Sequence, residues 1–265
     1  MAFKIYIMRF NLKIGFKYSA QKHFLPINYQ YELSAWIYKV IESGDNEYSA
    51  WLHENGFRNN SKQYRLFSFS NLKIPSLKIK EDSLLIDCDY VELEISFLPE
   101  KSTEEFVKGL FRKREFVLGN RKYKTEFIVG DIQIMPEPIF QEEMSYKSIS
   151  PICVSRRREE KGSFYPEPTD SCMAESILTN LISKYEAFYG IPLQLDFAKC
   201  DFNLTSIAKW KLITIKADTP YQSRIPAYMY EFCLKVPVEL QQIAYHCGVG
   251  HKNSVGFGAI ALKTK

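Results

Sequence analysis

Several common signatures are missing from this chain of 265 residues. Its six cysteines, at 88, 153, 172, 200, 233 and 247, form no C-x-x-C pair, and only His246-Cys247 sets two soft ligands side by side. That spacing excludes the usual zinc frameworks, and no metal or other cofactor is expected. No secretory leader and no uninterrupted apolar run of bilayer-spanning length is visible. The cysteines therefore read as small buried hydrophobes in a reducing compartment, with the cytoplasm as expected location and no membrane partner. A Gly-Lys-Ser/Thr opening a helix, G-x-S-x-G, H-E-x-x-H and the zinc-deaminase signature are also absent. ATP, hydrolase-elbow, zincin and deaminase chemistries are excluded with them. Strong charge of one sign is lacking too: a net +4 permits a nucleic-acid partner without demanding one, so the distribution of charge decides.

What is present is the composition of a folded protein, 46% hydrophobic and 25% charged, with 17 Tyr and 19 Phe to fill cores and to offer faces on which bases stack. The length suits two domains, each with its own core. Phe10, Leu12 and Ile14 alternate with polar residues as one face of a strand. Asn28 offers an N-cap to a helix whose stripe is Leu33, Trp36, Ile37 and Val40 and which closes at Gly44. A short helix over Tyr48 to His53, strands at Tyr64–Ser70, Leu84–Cys88 and Val91–Phe97, a helix capped by Thr103, and a strand over Tyr123–Met135 follow.

Pro136-Glu137-Pro138 interrupts this order, which then restarts. A strand is expected near Ser148–Arg156, a helix over Ala174–Phe188 ending at Gly190, strands at Leu193–Phe197, Leu204–Lys216 and Tyr228–Val236, and a helix over Pro237–Tyr245. A closing strand completes the set. The expected class is α+β, with two tandem ferredoxin-like (βαββαβ) domains, residues 1–140 and 141–265.

Charge within this plan is uneven. From Lys101 to Lys124 eight Lys or Arg stand against Glu104, Glu105 and Glu115, and Arg156-Arg157-Arg158 opens the second half. Near the C-terminus Gly248, Gly250, Gly256 and Gly258 fall within eleven residues, with His251-Lys252 between them and Phe257 inside the second pair. Glycines let such a loop turn amides toward an anion, and the two cationic-capable side chains suit a polyphosphate.

Of the four histidines, His53 has distinctive company: it ends a short helical turn, and Lys62 and Arg65 lie shortly downstream. A proton donor near fixed cations is what RNA self-cleavage needs. There the 2′-OH attacks phosphorus, a base takes its proton, an acid protonates the departing 5′ oxygen, and cations stabilise the dianionic phosphorane, with no metal required.

Met8-Arg9-Phe10, Leu33-Ser34-Ala35-Trp36-Ile37-Tyr38, Trp51-Leu52-His53-Glu54-Asn55-Gly56-Phe57 and Arg65-Leu66-Phe67-Ser68-Phe69-Ser70, in this order and followed by the glycine loop, resemble the CRISPR repeat-RNA endoribonucleases of the Cas6 family, in the repeat-associated superfamily. The resemblance runs from about Met8 to Lys263. It implies metal-independent cleavage of precursor CRISPR RNA within each repeat, leaving 5′-OH and 2′,3′-cyclic phosphate ends, to make guide RNAs for antiviral defence. By position His53 matches the family's proton-transfer histidine and Tyr38 the helix tyrosine some members place beside it. The third, cationic member is Arg65 by place or Lys62 by residue type, and spacing does not choose between them. The implied partners are CRISPR repeat RNA and other interference-complex subunits, the chain acting as a monomer or homodimer. Gly248, Gly250, His251, Lys252, Gly256, Phe257, Gly258, Arg156 and Arg157 are the expected RNA-binding residues. The rival reading is a guide-RNA-binding subunit that does not cleave. Met1–Ile7 would extend the first strand or hang free.

Overall fold

A computed structural model describes residues 8–18, 21–157, 162–217 and 219–263. Met1–Ile7 and Arg158, for which the sequence raised expectations, lie outside the described residues. The chain divides into two compact units: one runs up to Glu54 and resumes over Ser70–Glu137, and the other combines Asn55–Phe69 with the chain from Pro138 onward.

In the first unit the strand Met8–Phe16 lies between Tyr90–Phe97 and Lys124–Ile134, with Glu115–Gly119 at the far edge, all antiparallel. Its register pairs Phe10 with Ile95, Leu12 with Leu93 and Ile14 with Val91, so six apolar side chains share one face, and all are buried. Helices α1 (Gln30–Gly44) and α3 (Glu100–Arg112) cover that face, with Phe106 packed against Phe10, Trp36 and Phe97. Between them comes α2, Asn46–Glu54.

Two expected caps are corrected. The residue ahead of α1 is Tyr29, not Asn28, and it makes no side-chain cap bond. Tyr29 is buried and its hydroxyl accepts the Leu72 N–H at 2.8 Å, so tertiary anchoring sets that boundary. Thr103 sits inside α3, which starts after the extended Pro99; its hydroxyl bonds back to the Pro99 carbonyl. The strand expected over Tyr64–Ser70 is broken at Leu66, whose φ is 54°. Lys62–Tyr64 pairs with Phe57–Asn59 instead, and Phe67–Phe69 is a separate strand.

The second unit's sheet has the order Asp201–Leu204, Glu231–Lys235, Glu143–Ser148, Ile260–Leu262, all antiparallel. With α4 (Met173–Tyr189) and α5 (Val238–Cys247) this is the 2-3-1-4 strand order of a ferredoxin-like βαββαβ fold. Tyr146, Phe232, Leu234, Ile177, Leu181, Leu240 and Ile243 form its core. The strand expected at Ser148–Arg156 lies earlier, at Glu143–Ser148; beyond it Ile152 and Cys153 make isolated bridges to Tyr228 and His251, and Arg156–Arg157 pairs with Ser163–Phe164. Leu193–Phe197 is no strand: the Leu193 N–H goes to the Glu186 carboxylate and Asp196 caps a 3-10 turn. The long strand expected over Leu204–Lys216 is two, because Lys209–Ile215 leaves the sheet to form a hairpin with Ser223–Met229.

Candidate functional site

In the first unit α2 is held at its start. The Asp45 carboxylate accepts the Tyr48 N–H at 2.9 Å, Tyr48 and Ser102 hydroxyls meet at 2.6 Å, and Lys101 bridges Asp45 (3.1 Å) and Glu105 (2.7 Å). Burial pushes the Glu105 carboxyl upward, but hydrogen bonds from Lys101 and Lys108 outweigh it and hold the group below the usual carboxylate range. Ser49 donates to the Tyr38 carbonyl at 3.3 Å, tying α2 to the middle of α1. His53, exposed in the last turn of α2, then meets Tyr38 edge to face, ring centroids 5.3 Å apart at 82°. The structure thus brings together two of the sequence-predicted residues, an imidazole and a phenol on one surface.

Lys62 and Arg65 count with the second unit. The hairpin bearing Lys62 is fastened to α4: Asn59 donates to Ser183 Oγ (3.1 Å) and Glu186 (2.6 Å), and Tyr64 donates to Ser183 Oγ (2.8 Å). Lys62 then lines a cleft of about 500 Å³ with Ser155, Arg156, Arg157, Glu175 and His251. Arg156 pairs with Glu175 at 3.2 Å. Half-buried Arg65 follows the hairpin, directly before the positive-φ Leu66, and does not line this cleft.

The glycine loop is built differently from the expectation of outward amides. The N–H groups of Val249, His251, Gly256 and Gly258 donate to the carbonyls of Gly258, Cys153, Asn253 and Pro151, and that of Ala259 to Ser150 Oγ. The glycines permit close approach: Gly248 and Gly258 have φ of 78° and 75°, and a Cβ at Gly258 would strike the Val249 carbonyl. Gly248, Gly250, Gly256, Phe257 and Gly258 are buried; exposed Lys252 is the loop's cation.

His251 is no cation at neutral pH. Burial, reinforced by Lys184, Lys62 and Lys252, pulls its pKa down to about 4. Its Nδ1 accepts the Ser155 N–H at 3.2 Å, so the neutral ring carries its proton on Nε2 and serves as a donor.

Sequence reasoning missed two residues that organise this unit. Lys184 is 2% exposed, and its amine donates to the carbonyls of Gly248 (2.7 Å) and Gly250 (3.1 Å). Burial pulls its pKa down to about 7. The available signal was a lysine three residues beyond Leu181 on the apolar stripe of α4. Asn253 Nδ2 spans the loop, donating to Val249 O (3.2 Å) and Phe257 O (3.1 Å). Among the described residues no group of three or more His, Cys, Asp or Glu is placed to hold a metal ion, and no helix is long and apolar enough to cross a membrane.

Comparison with known proteins matches the family model "CRISPR-associated protein Cas6, N-terminal" to residues 24–133 and "CRISPR associated protein Cas6, C-terminal" to residues 135–262. A Methanocaldococcus jannaschii protein named CRISPR-associated endoribonuclease Cas6 1 is 30% identical over 89% of this chain and 86% of its own length. A Pyrococcus furiosus protein named CRISPR-associated endoribonuclease Cas6 is 27% identical over 97% of this chain and 90% of its own. A solved structure titled CRISPR associated protein Cas6 superposes with a TM-score of 0.73 at 27% identity, covering 97% of this chain and all of that one. With both halves matched in order and relatives spanning nearly the full length, the chain belongs to the Cas6 family of CRISPR-associated proteins.

Proposed function

We propose that this protein is an endoribonuclease that cleaves precursor CRISPR RNA within its repeats without a metal ion, in the cytoplasm, the product passing to an interference complex. The observation that carries the reading is the pair of half-buried Tyr38 and exposed His53 at the end of an anchored helix, in a chain whose curated relatives are named Cas6 endoribonucleases. His53 transfers protons at the 2′-OH or the departing 5′ oxygen, and the Tyr38 ring steadies the imidazole. Lys62 or Arg65 supplies positive charge to the phosphorane. Arg156, Arg157, Lys252 and the Nε2–H of His251 hold backbone phosphates. Residues 1–140 carry the proton-transfer pair and residues 141–265 most of the RNA-gripping set.

The test uses the purified chain, its own repeat RNA and EDTA, beside the same RNA with a deoxyribose immediately 5′ of the cut. Cleavage that survives EDTA and stops with the deoxy substitution is expected. His53→Ala should slow cleavage about 10²- to 10⁴-fold with RNA affinity nearly unchanged. Binding without cleavage by the parent protein would favour a non-cleaving guide-RNA subunit instead, and parental rates from His53→Ala would remove the histidine from the mechanism.

A further inference from the structure

The hairpin Lys209–Ile215/Ser223–Met229 has two unlike faces. On the inner one Ile213, Ile225 and Ala227 are buried with Cys153 and Phe257 in a single apolar cluster beneath the glycine loop. On the outer one the register sets Trp210 opposite Tyr228, Leu212 opposite Pro226 and Thr214 opposite Arg224. Directly opposed side chains on one face stand about 4.5–5.5 Å apart at Cβ, so Trp210 and Tyr228 set two aromatic side chains side by side as a shelf on that face. Trp210 is 57% exposed and Leu212 39%. A tryptophan that exposed, on a ribbon whose other face already supplies the core, is unexplained by folding.

Charge and continuity point to what covers it. In the sequence from Lys209 to Met229, Lys209, Lys211, Lys216 and Arg224 stand against the single carboxylate Asp218, and all four cations are exposed. Burial raises the Tyr228 phenol, with smaller contributions from the carboxylates Glu167 and Asp170, which bring negative charge to the Tyr228 end of the ribbon. The shelf also joins the cleft along one stretch of backbone. Tyr228 exchanges hydrogen bonds with Ile152 (2.8 and 3.0 Å), Cys153 O accepts the His251 N–H at 2.7 Å, and Ser155, Arg156 and Arg157 line the cleft.

We infer that this ribbon is a stacking platform for an unpaired stretch of the RNA substrate, Trp210 and Tyr228 taking base faces while Arg224, on the same face, takes a phosphate. The inference rests on the RNA-processing reading above, and it adds a contact that none of the predicted residues supplies. Bases stack on aromatic rings irrespective of sequence, so the platform contributes affinity to single strands rather than choice among them.

The test is fluorescence anisotropy of the full chain with a labelled, unstructured RNA of roughly 16 nucleotides, across a salt series, for Trp210→Ala, Trp210→Phe and Arg224→Ala. Trp210→Ala should weaken binding about five- to hundredfold, the worth of one stacked base. Trp210→Phe should recover most of that, and neither should change the salt slope, since no phosphate contact is lost. Arg224→Ala should lower the slope by about one. Parental affinity in Trp210→Ala, or failure of phenylalanine to rescue a variant with parental thermal stability, overturns the platform. Cleavage by the parent is scored separately: RNA binding that depends on Trp210 in a chain that does not cut keeps the platform and removes the nuclease reading, whereas cutting with Trp210-independent binding does the reverse.

Discussion

Replacing Lys184 with methionine tests the central structural claim about the second unit, that one buried amine holds the glycine loop closed. The variant keeps the length and apolar volume of the side chain but leaves the carbonyls of Gly248 and Gly250 without their donor. Each buried acceptor so stranded costs about 1–3 kcal/mol. The two hydrogen bonds that tie the loop to the amine are worth about 1 kcal/mol each, so closing the loop is locally disfavoured by about 2 kcal/mol, whatever methionine recovers globally by removing a buried amine. Amide exchange at Val249, His251 and Gly258 should therefore quicken by about 30-fold, because 2 kcal/mol shifts an opening equilibrium by that factor. The titration has a defined sign. An amine of pKa about 7 in the fold and 10.5 in its ordinary state binds fewer protons folded than unfolded between those values. Parent stability should thus rise with pH above about 7, by up to ~1.4 kcal/mol per pH unit, until thiols of the unfolded chain ionise near 8.5. Lys184→Met should lose this rise. Loop exchange at the parental rate, or a rise that persists in the variant, would mean that Lys184 does not hold the loop closed.

Two glycines give a matched comparison. Gly258 and Gly190 have φ of 75° and 69°, yet a Cβ at Gly258 would strike the Val249 carbonyl while one at Gly190 meets nothing within 4 Å. Thermal unfolding should show Gly190→Ala costing about 1–2 kcal/mol, the left-handed penalty alone, and Gly258→Ala clearly more. His251 should make stability fall with acid: its folded pKa of about 4 lies below the ordinary 6.5, so the unfolded chain takes up a proton between those values. Denaturant unfolding from pH 6.5 down to about 5 should be flatter in His251→Asn than in the parent.

The ferredoxin-like plan was legible because it rests on local periodicity. Phe10, Leu12 and Ile14 had to share a face, and Leu33, Trp36, Ile37 and Val40 a helical stripe, whatever surrounded them. The failures fall where a long-range partner overrode the local pattern. Leu193–Phe197 has strand composition, but its backbone is claimed by Glu186 and Asp196. Tyr29 replaces Asn28 at the start of α1 because its hydroxyl is fixed by Leu72. Residues 55–69 join the second unit through hydrogen bonds from Asn59 and Tyr64 to Ser183, which spacing along the chain does not reveal.

The class of elements and the tandem repeat of one topology were readable in the sequence, since each follows from residue type at short separation; that Tyr38 belongs beside His53 came only from the family resemblance. The state of the glycine loop was set by contacts distant in the chain. The amides of Val249, His251, Gly256 and Gly258 bond inward, Lys184 clamps the carbonyls of Gly248 and Gly250, and burial leaves His251 a neutral donor rather than a cation. Desolvation and backbone pairing depend on what lies nearby in space, and neighbours 60 to 100 residues away in the chain, such as Lys184 and Cys153, set both.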